Sequence, residues 1–79
     1  MVNTLLLDEY IKQSGKSKTF LAEKCGISIQ SFRMKRINES VFNTDQVKVL
    51  CNELNINSLR DKERIFFAKN VDKSSTNEG

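Results

Sequence analysis

The chain has 79 residues, a formal net charge of +3 and neither histidine nor proline. A chain of this length forms one domain with a small core, because folding buries only about 60–65% of its unfolded surface. Without histidine, neither a Ser-His nor a Cys-His catalytic arrangement can form, and two cysteines are too few ligands for zinc. We therefore expect no enzyme activity, no metal site and no other cofactor.

The apolar runs and the cysteines indicate the cellular compartment of the protein. The longest apolar runs are Leu5–Leu7 and Ile65–Ala68, far short of the ~18 residues of a membrane span. The first residues lack a basic region ahead of an apolar stretch, so we expect no secretory signal. Cys25 and Cys51 each fall on the predicted inner face of a helix, which favours reduced core thiols in a cytoplasmic protein without a membrane partner.

In chain order, the apolar spacing predicts three short helices in the first half. The first begins at about Leu5 after Asn3 or Thr4 as N-cap, and Gly15 ends it. Each of the next two helices follows a serine that can cap it, and Gly26 separates them. The predicted ranges are Lys18–Cys25 after Ser17 and Ile29 to about Arg36 after Ser28, with Phe32 as the main inward residue.

The second half predicts two more helices and a polar tail. Thr44 is expected to cap a helix from Asp45 to Leu54, and Ser58 a short one from Leu59 to Arg64. The helix after Thr44 has the clearest amphipathic period, carried by Val47, Leu50, Cys51 and Leu54. The sequence therefore predicts an all-α bundle of four to five short helices over residues 1–71, and a disordered tail over 72–79.

Charge is distributed unevenly along the chain. Residues 12–36 hold seven basic residues and one acidic residue, a net charge of +6, whereas the remainder holds six basic and nine acidic residues, a net charge of −3. A basic stretch of this kind is typical of proteins that bind the phosphate backbone of nucleic acids. A solvated lysine-rich face is the more common explanation of a charge run in general, so the spacing of the residues has to decide.

The spacing around Gly26 is typical of a helix-turn-helix. That unit needs a small residue where the two helices cross, and Ala22 fills this place. Four residues later Gly26 supplies a left-handed backbone for the turn. The inward apolar positions are filled by Leu21, Cys25, Ile27 and Phe32.

The segment Phe20–Ser28, with the sequence FLAEKCGIS, resembles the signature of phage repressor and Cro-like (lambda-repressor-like) helix-turn-helix DNA-binding domains. The resemblance covers roughly residues 4 to 70. The segments 35–38 and 65–68 are similar to those of short phage- and prophage-encoded DNA-binding proteins of Gram-positive bacteria. Lys35 departs from the class at a position that is usually apolar, and we expect Met34 or Ile37 to supply the missing contact. The resemblance implies a DNA-binding protein in the cytoplasm of a bacterial host cell.

The second helix of a helix-turn-helix, which is the third predicted helix of this chain, presents outward side chains to base edges in the major groove. Gln30 suits adenine and Arg33 suits guanine, while Ile29 or Met34 suits a thymine methyl group. The predicted base contacts are Ser28, Ile29, Gln30, Arg33 and Met34. The predicted phosphate contacts are Ser17 and Lys18 at the start of the second helix, together with Ser31, Lys35, Arg36, Asn38 and Asn43.

One such module contacts few bases, so we expect a homodimer or cooperating monomers on half-sites about 10–10.5 base pairs apart. The candidate surface near the C-terminus consists of Ile56, Leu59, Ile65, Phe66, Phe67 and Val71. Alternatively, Phe66 and Phe67 close the core beneath the first helix. We expect that role for one of the two and the interface for the other.

The leading hypothesis is therefore a sequence-specific regulator of transcription that binds double-stranded DNA, either a repressor or a Cro-like switch component. The chain leaves no room for a domain that senses a small-molecule ligand. A second hypothesis is a protein-interaction module, such as an antirepressor or an antitoxin-like partner, that uses the same face. A third, DNA bending in an accessory role, is less favoured because no extended basic arm or β-wing is visible in the sequence.

Overall fold

The computed structural model describes residues 1–68, which form a bundle of five α-helices and confirm the predicted all-α class. The helices are α1 (Thr4–Ser14), α2 (Lys18–Cys25), α3 (Ile29–Arg36), α4 (Thr44–Glu53) and α5 (Leu59–Phe66). None of the helices within residues 1–68 has the length and apolar character needed to cross a bilayer. The predicted tail and Val71 lie outside the described residues.

Side-chain caps set the start of each helix, and most were predicted correctly. Ser17, Ser28 and Ser58 each accept a hydrogen bond from the backbone amide three residues on, which confirms them as N-caps. The prediction of Thr44 as the cap of α4 is wrong. Asn43 is the N-cap, because its side-chain oxygen accepts a hydrogen bond from the Gln46 amide. The Asn43 amide in turn donates to the side-chain oxygen of Gln46, which completes a capping box.

Three helices end in the same way, with a residue in the left-handed conformation and two backbone hydrogen bonds that close the last turn. This arrangement is a Schellman motif, in which the residue after the left-handed one donates to a carbonyl five residues back. The left-handed residues of these three motifs are Gly26, Asn38 and Asn55. The closing bonds run from Ile27 to Ala22 (3.1 Å), from Glu39 to Met34 (2.8 Å) and from Ile56 to Cys51 (2.8 Å).

The core is assembled around α2, which packs against both α3 and α4, while α1 packs against α5. Phe32, Phe42 and Phe66 form a chain of edge-to-face contacts, with ring centroids 5.7 and 6.1 Å apart. The other fully buried large side chains are Leu7, Leu21, Leu50 and Ile65. Cys25 and Cys51 are free thiols that lie half-buried against this core, and burial raises the pKa of both.

The C-terminal helix α5 is longer than predicted, because Ile65 and Phe66 continue it into the core. Ile56, Ile65 and Phe66, which were predicted to lie on a dimer surface, are instead buried in the core of the chain. Leu59 and Phe67 remain exposed, to 69% and 57%. Of the two phenylalanines, Phe66 therefore closes the core and Phe67 lies at the surface.

Candidate nucleic-acid interface

The α2–turn–α3 unit spans Lys18–Arg36, and its geometry depends on two small residues. Ala22 is buried on the inner face of α2. Gly26 has a φ of 75°, and a Cβ built at this position would meet no atom within 4 Å. Glycine is therefore favoured here by the left-handed backbone rather than by lack of space.

The outward face of α3 carries the predicted base contacts. Phe32 points into the core, whereas Ile29, Gln30, Arg33 and Met34 are exposed on the opposite side. Ser28 is also exposed, although its hydroxyl oxygen accepts a hydrogen bond from the amide of Ser31 at 3.0 Å. The exposed residues are long or polar and make no hydrogen bond to another side chain within residues 1–68, which leaves them available to a ligand.

A shallow concavity of about 240 Å³ brings three of these residues together with two that were not predicted as site residues. Gln30, Arg33 and Met34 line it with Ile37 and Glu39. Ile37 and Glu39 reach this face because Asn38 adopts a left-handed conformation, with φ of 71°, and folds the chain back over the last turn of α3. An asparagine two residues after the end of a predicted helix was the sequence signal for this reversal.

The N-terminus of α2 offers a second group of polar atoms. Ser17 and Lys18 are both exposed, and the Ser17 hydroxyl oxygen accepts from the amide of Phe20 at 3.0 Å. The first amides of a helix and its positive dipole end favour anions. Lys18 makes no ion pair within residues 1–68, so its charge adds to this preference.

Arg36, predicted to contact phosphate, is used by the fold. Its Nη1 donates to both carboxylate oxygens of Asp8 at 2.9 Å, and its side chain is only 15% exposed. Its backbone carbonyl accepts from the Thr4 hydroxyl at 2.7 Å. Its buried Nε has no hydrogen-bond partner in the described part of the chain. Arg36 therefore joins α3 to α1 and has little freedom to reach a ligand.

Asn38 and Asn43 also have structural partners. The Asn38 side chain donates to the carbonyl of Val2 at 2.9 Å and accepts from the Val2 amide at 2.7 Å. Asn43 caps α4 through its side-chain oxygen. Both polar atoms of the Asn38 carboxamide are thus occupied, whereas the side-chain nitrogen Nδ2 of Asn43 makes no hydrogen bond within residues 1–68.

Lys35 is not a member of the buried apolar core. It is half-buried, and its Nζ donates to the carbonyl of Val41 at 2.7 Å. Met34 and Ile37, each 39% exposed, do not supply a buried contact in its place. The pose of α3 is held instead by Phe32 and by the polar contacts of Arg36.

The basic stretch is less available than its net charge suggests. Lys16 donates to the carbonyl and to the carboxylate of Glu53 at 2.7 and 2.9 Å, and this hydrogen bond lowers the pKa of Glu53. The Nζ atoms of Lys16 and Lys24 lie 5.9 and 5.5 Å from the centre of the Phe20 ring, within range of a cation–π interaction. Within the α2–turn–α3 unit, Lys35 and Arg36 are only partly exposed. The exposed cations of the unit are Lys18, Lys24 and Arg33.

Comparisons of the chain with protein-family models, with curated proteins and with solved structures find no match.

Proposed function

We propose that the protein is a sequence-specific, double-stranded-DNA-binding regulator of transcription. The observation that carries the proposal is the outward face of α3, where Gln30, Arg33 and Met34 are exposed and line one concavity. The sequence resemblance of residues 20–28 supports the phage repressor and Cro-like class. In this proposal the chain has no catalytic role and requires no cofactor.

The α3 helix would lie in the major groove, with α2 across the backbone. Arg33 can donate two hydrogen bonds to O6 and N7 of guanine, and Gln30 can pair with N6 and N7 of adenine. Met34 and Ile29 offer apolar contact to a thymine methyl group. Each good bidentate contact discriminates against the wrong base by about 1–3 kcal/mol.

Phosphate contacts would come from both edges of the unit. Ser17 and Lys18 stand at the N-terminus of α2, and Lys24 adds exposed charge. Two phosphates neutralised per protomer, by Lys18 and Lys24, would give a slope of about −2 in a plot of log affinity against log salt. Arg36 and Asn38 are left out of this interface, because the fold occupies their polar groups.

Two copies would be needed for a specific site of useful length. Leu59 and Phe67 are the two residues of the predicted dimer surface that are exposed within residues 1–68. They line a groove of about 500 Å³ between α4 and α5 together with Val47. The lining is completed by Thr44, Lys48, Lys62 and Glu63. A groove that combines exposed apolar side chains with polar and charged ones suits a homodimer contact.

The decisive experiment is selection of bound sequences from a random duplex library, followed by titration of the selected duplex and of a random duplex. We expect a site with two half-sites and a clear preference over the random duplex. The variants Gln30→Ala and Arg33→Ala should each relax the preference at one base pair per half-site. Arg60→Ala, an exposed arginine on α5, is the matched control and should leave the preferences unchanged. Equal affinity for all duplexes would refute the proposal.

A second candidate is a protein-interaction module, such as an antirepressor or an antitoxin-like partner. The observation in its favour is the apolar character of the same face, where Ile29, Met34 and Ile37 are all exposed. In that case the wild type would bind no duplex at any salt concentration. Replacement of Ile29 and Met34 by serine would abolish capture of a protein partner while the fold remained intact.

A further inference from the structure

Glu39 occupies a position that the other two helices with the same ending fill with isoleucine. In α2 and α4 the residue that closes the Schellman motif is Ile27 or Ile56, and both pack against or within the core. A hydrophobic contact at this place normally supports the last turn. In α3 the same backbone hydrogen bond is donated by Glu39, whose side chain is exposed.

The local physics does not favour an acidic residue here. The C-terminus of a helix carries a partial negative charge, so a carboxylate next to it is destabilising. Glu39 makes no ion pair and no side-chain hydrogen bond within residues 1–68 that would compensate. A residue that lowers the stability of a helix end, with no contact that compensates, is expected at a functional site.

The surroundings of Glu39 point to the kind of ligand it would meet. It lines the concavity on α3 with Gln30 and Arg33. An ionised carboxylate only accepts hydrogen bonds, whereas Arg33 only donates and Gln30 does both. Among the groups displayed in the major groove, the exocyclic amino group of cytosine is the donor that pairs with glutamate.

We propose that Glu39 is a specificity-determining residue, which accepts a hydrogen bond from the exocyclic amino group of a cytosine in the major groove. This inference rests on the proposed DNA-binding function. On a duplex with no cytosine within reach, the carboxylate gains no hydrogen bond and is repelled by the phosphates. Glu39 therefore lowers the affinity for unselected DNA and raises the preference for a site with cytosine at one base pair.

The test repeats the library selection with Glu39→Gln and Glu39→Ala. Wild type should select a cytosine at one position of each half-site that neither Gln30→Ala nor Arg33→Ala affects. Glu39→Gln should shift that position towards adenine, which glutamine reads, and Glu39→Ala should leave it without preference. In Glu39→Ala, the ratio of the affinity for the cytosine duplex to the affinity for duplexes with another base at this position should fall at least about fivefold. The affinity of this variant for a random duplex should rise.

Glu9→Gln on α1 is the matched control, because Glu9 is also an exposed glutamate but lines neither the concavity on α3 nor the groove between α4 and α5. It should leave both the selected sequence and its affinity as in wild type. Thermal unfolding of the Glu39 variants should show an unchanged or slightly higher Tm, which separates base recognition from an effect on folding.

The outcomes distinguish the two proposals. If wild type binds a selected site and both Glu39 variants keep the same preference at every position, the inference about Glu39 is overturned while the proposed function stands. A uniform gain in affinity on all duplexes would reduce Glu39 to general repulsion and equally overturn base recognition. If wild type binds no duplex, the proposed function itself fails.

Discussion

Replacement of Asn38 by glycine tests how the N-terminal residues are fixed to the end of α3. Asn38 is left-handed, with φ of 71°, and its side chain makes two hydrogen bonds with the backbone of Val2, 36 residues away in sequence. Glycine keeps the left-handed backbone without strain but removes both hydrogen bonds. Asn55 is a natural control, because it is also left-handed, with φ of 58°, and makes no side-chain hydrogen bond within residues 1–68.

The magnitude follows from the two hydrogen bonds. Each contributes about 1 kcal/mol net, so Asn38→Gly should lower the free energy of unfolding by about 2 kcal/mol. For a domain of this size the loss corresponds to a fall in Tm of about 8–16 °C. Asn38→Ala should cost about 1 kcal/mol more, because alanine is strained in the left-handed region. Asn55→Gly should remain within about 0.5 kcal/mol of wild type.

The assay is urea unfolding followed by circular dichroism at the helical minimum, with the three variants measured beside wild type. An Asn38→Gly variant as stable as Asn55→Gly would refute the reasoning, since the hydrogen bonds to Val2 would then contribute nothing. DNA titrations of the folded Asn38→Gly variant complete the test. Because the backbone of Val2 occupies both polar atoms of the Asn38 side chain, the folded variant should bind DNA as tightly as wild type. A lower affinity of the folded variant would instead support the phosphate contact that the sequence predicts.

Three further predictions address the turn, an ion pair and a thiol. Gly26→Ala should cost about 1–2 kcal/mol from backbone strain alone, because an added Cβ would meet no atom within 4 Å; a loss well above that in urea unfolding would indicate a clash. The hydrogen bond from Lys16 lowers the pKa of Glu53 from its ordinary 4.5, so the Glu53 contribution should be complete above pH 4.5 and lost as the pH falls below it. The stability difference between wild type and Glu53→Gln should therefore shrink on acidification; a difference independent of pH would contradict this. Because burial raises the pKa of Cys25, its alkylation at pH 7 should be slower in folded protein than in urea, and equal rates would contradict the placement of this thiol.

Local signals in the sequence predicted the helices well, because a cap is a contact between residues three apart. Ser17, Ser28 and Ser58 were identified in this way. The error at α4 arose between two adjacent residues that can both cap a helix. The glutamine three residues after Asn43 was the deciding signal, since it completes the capping box.

The candidate site was predicted less completely, because its limits depend on contacts between residues distant in sequence. Arg36 counts as a free cation in the sequence, but Asp8, 28 residues earlier, takes up its charge. Lys16 is likewise paired with Glu53, 37 residues later. Ile37 and Glu39 join the outward face only because the backbone reverses after α3. Local periodicity contains no information about such partners.

The division of labour along α3 has a consequence for how new binding preferences could evolve. The residues that anchor this helix to the rest of the molecule are Phe32, Arg36 and the adjoining Asn38. None of these three residues lines the concavity on the outward face of α3. Under the proposed function, mutations at positions 30, 33, 34, 37 and 39 would therefore change the preferred base sequence without removing the contacts that hold α3. A library randomised at those five positions alone would then sample altered specificities within folded proteins.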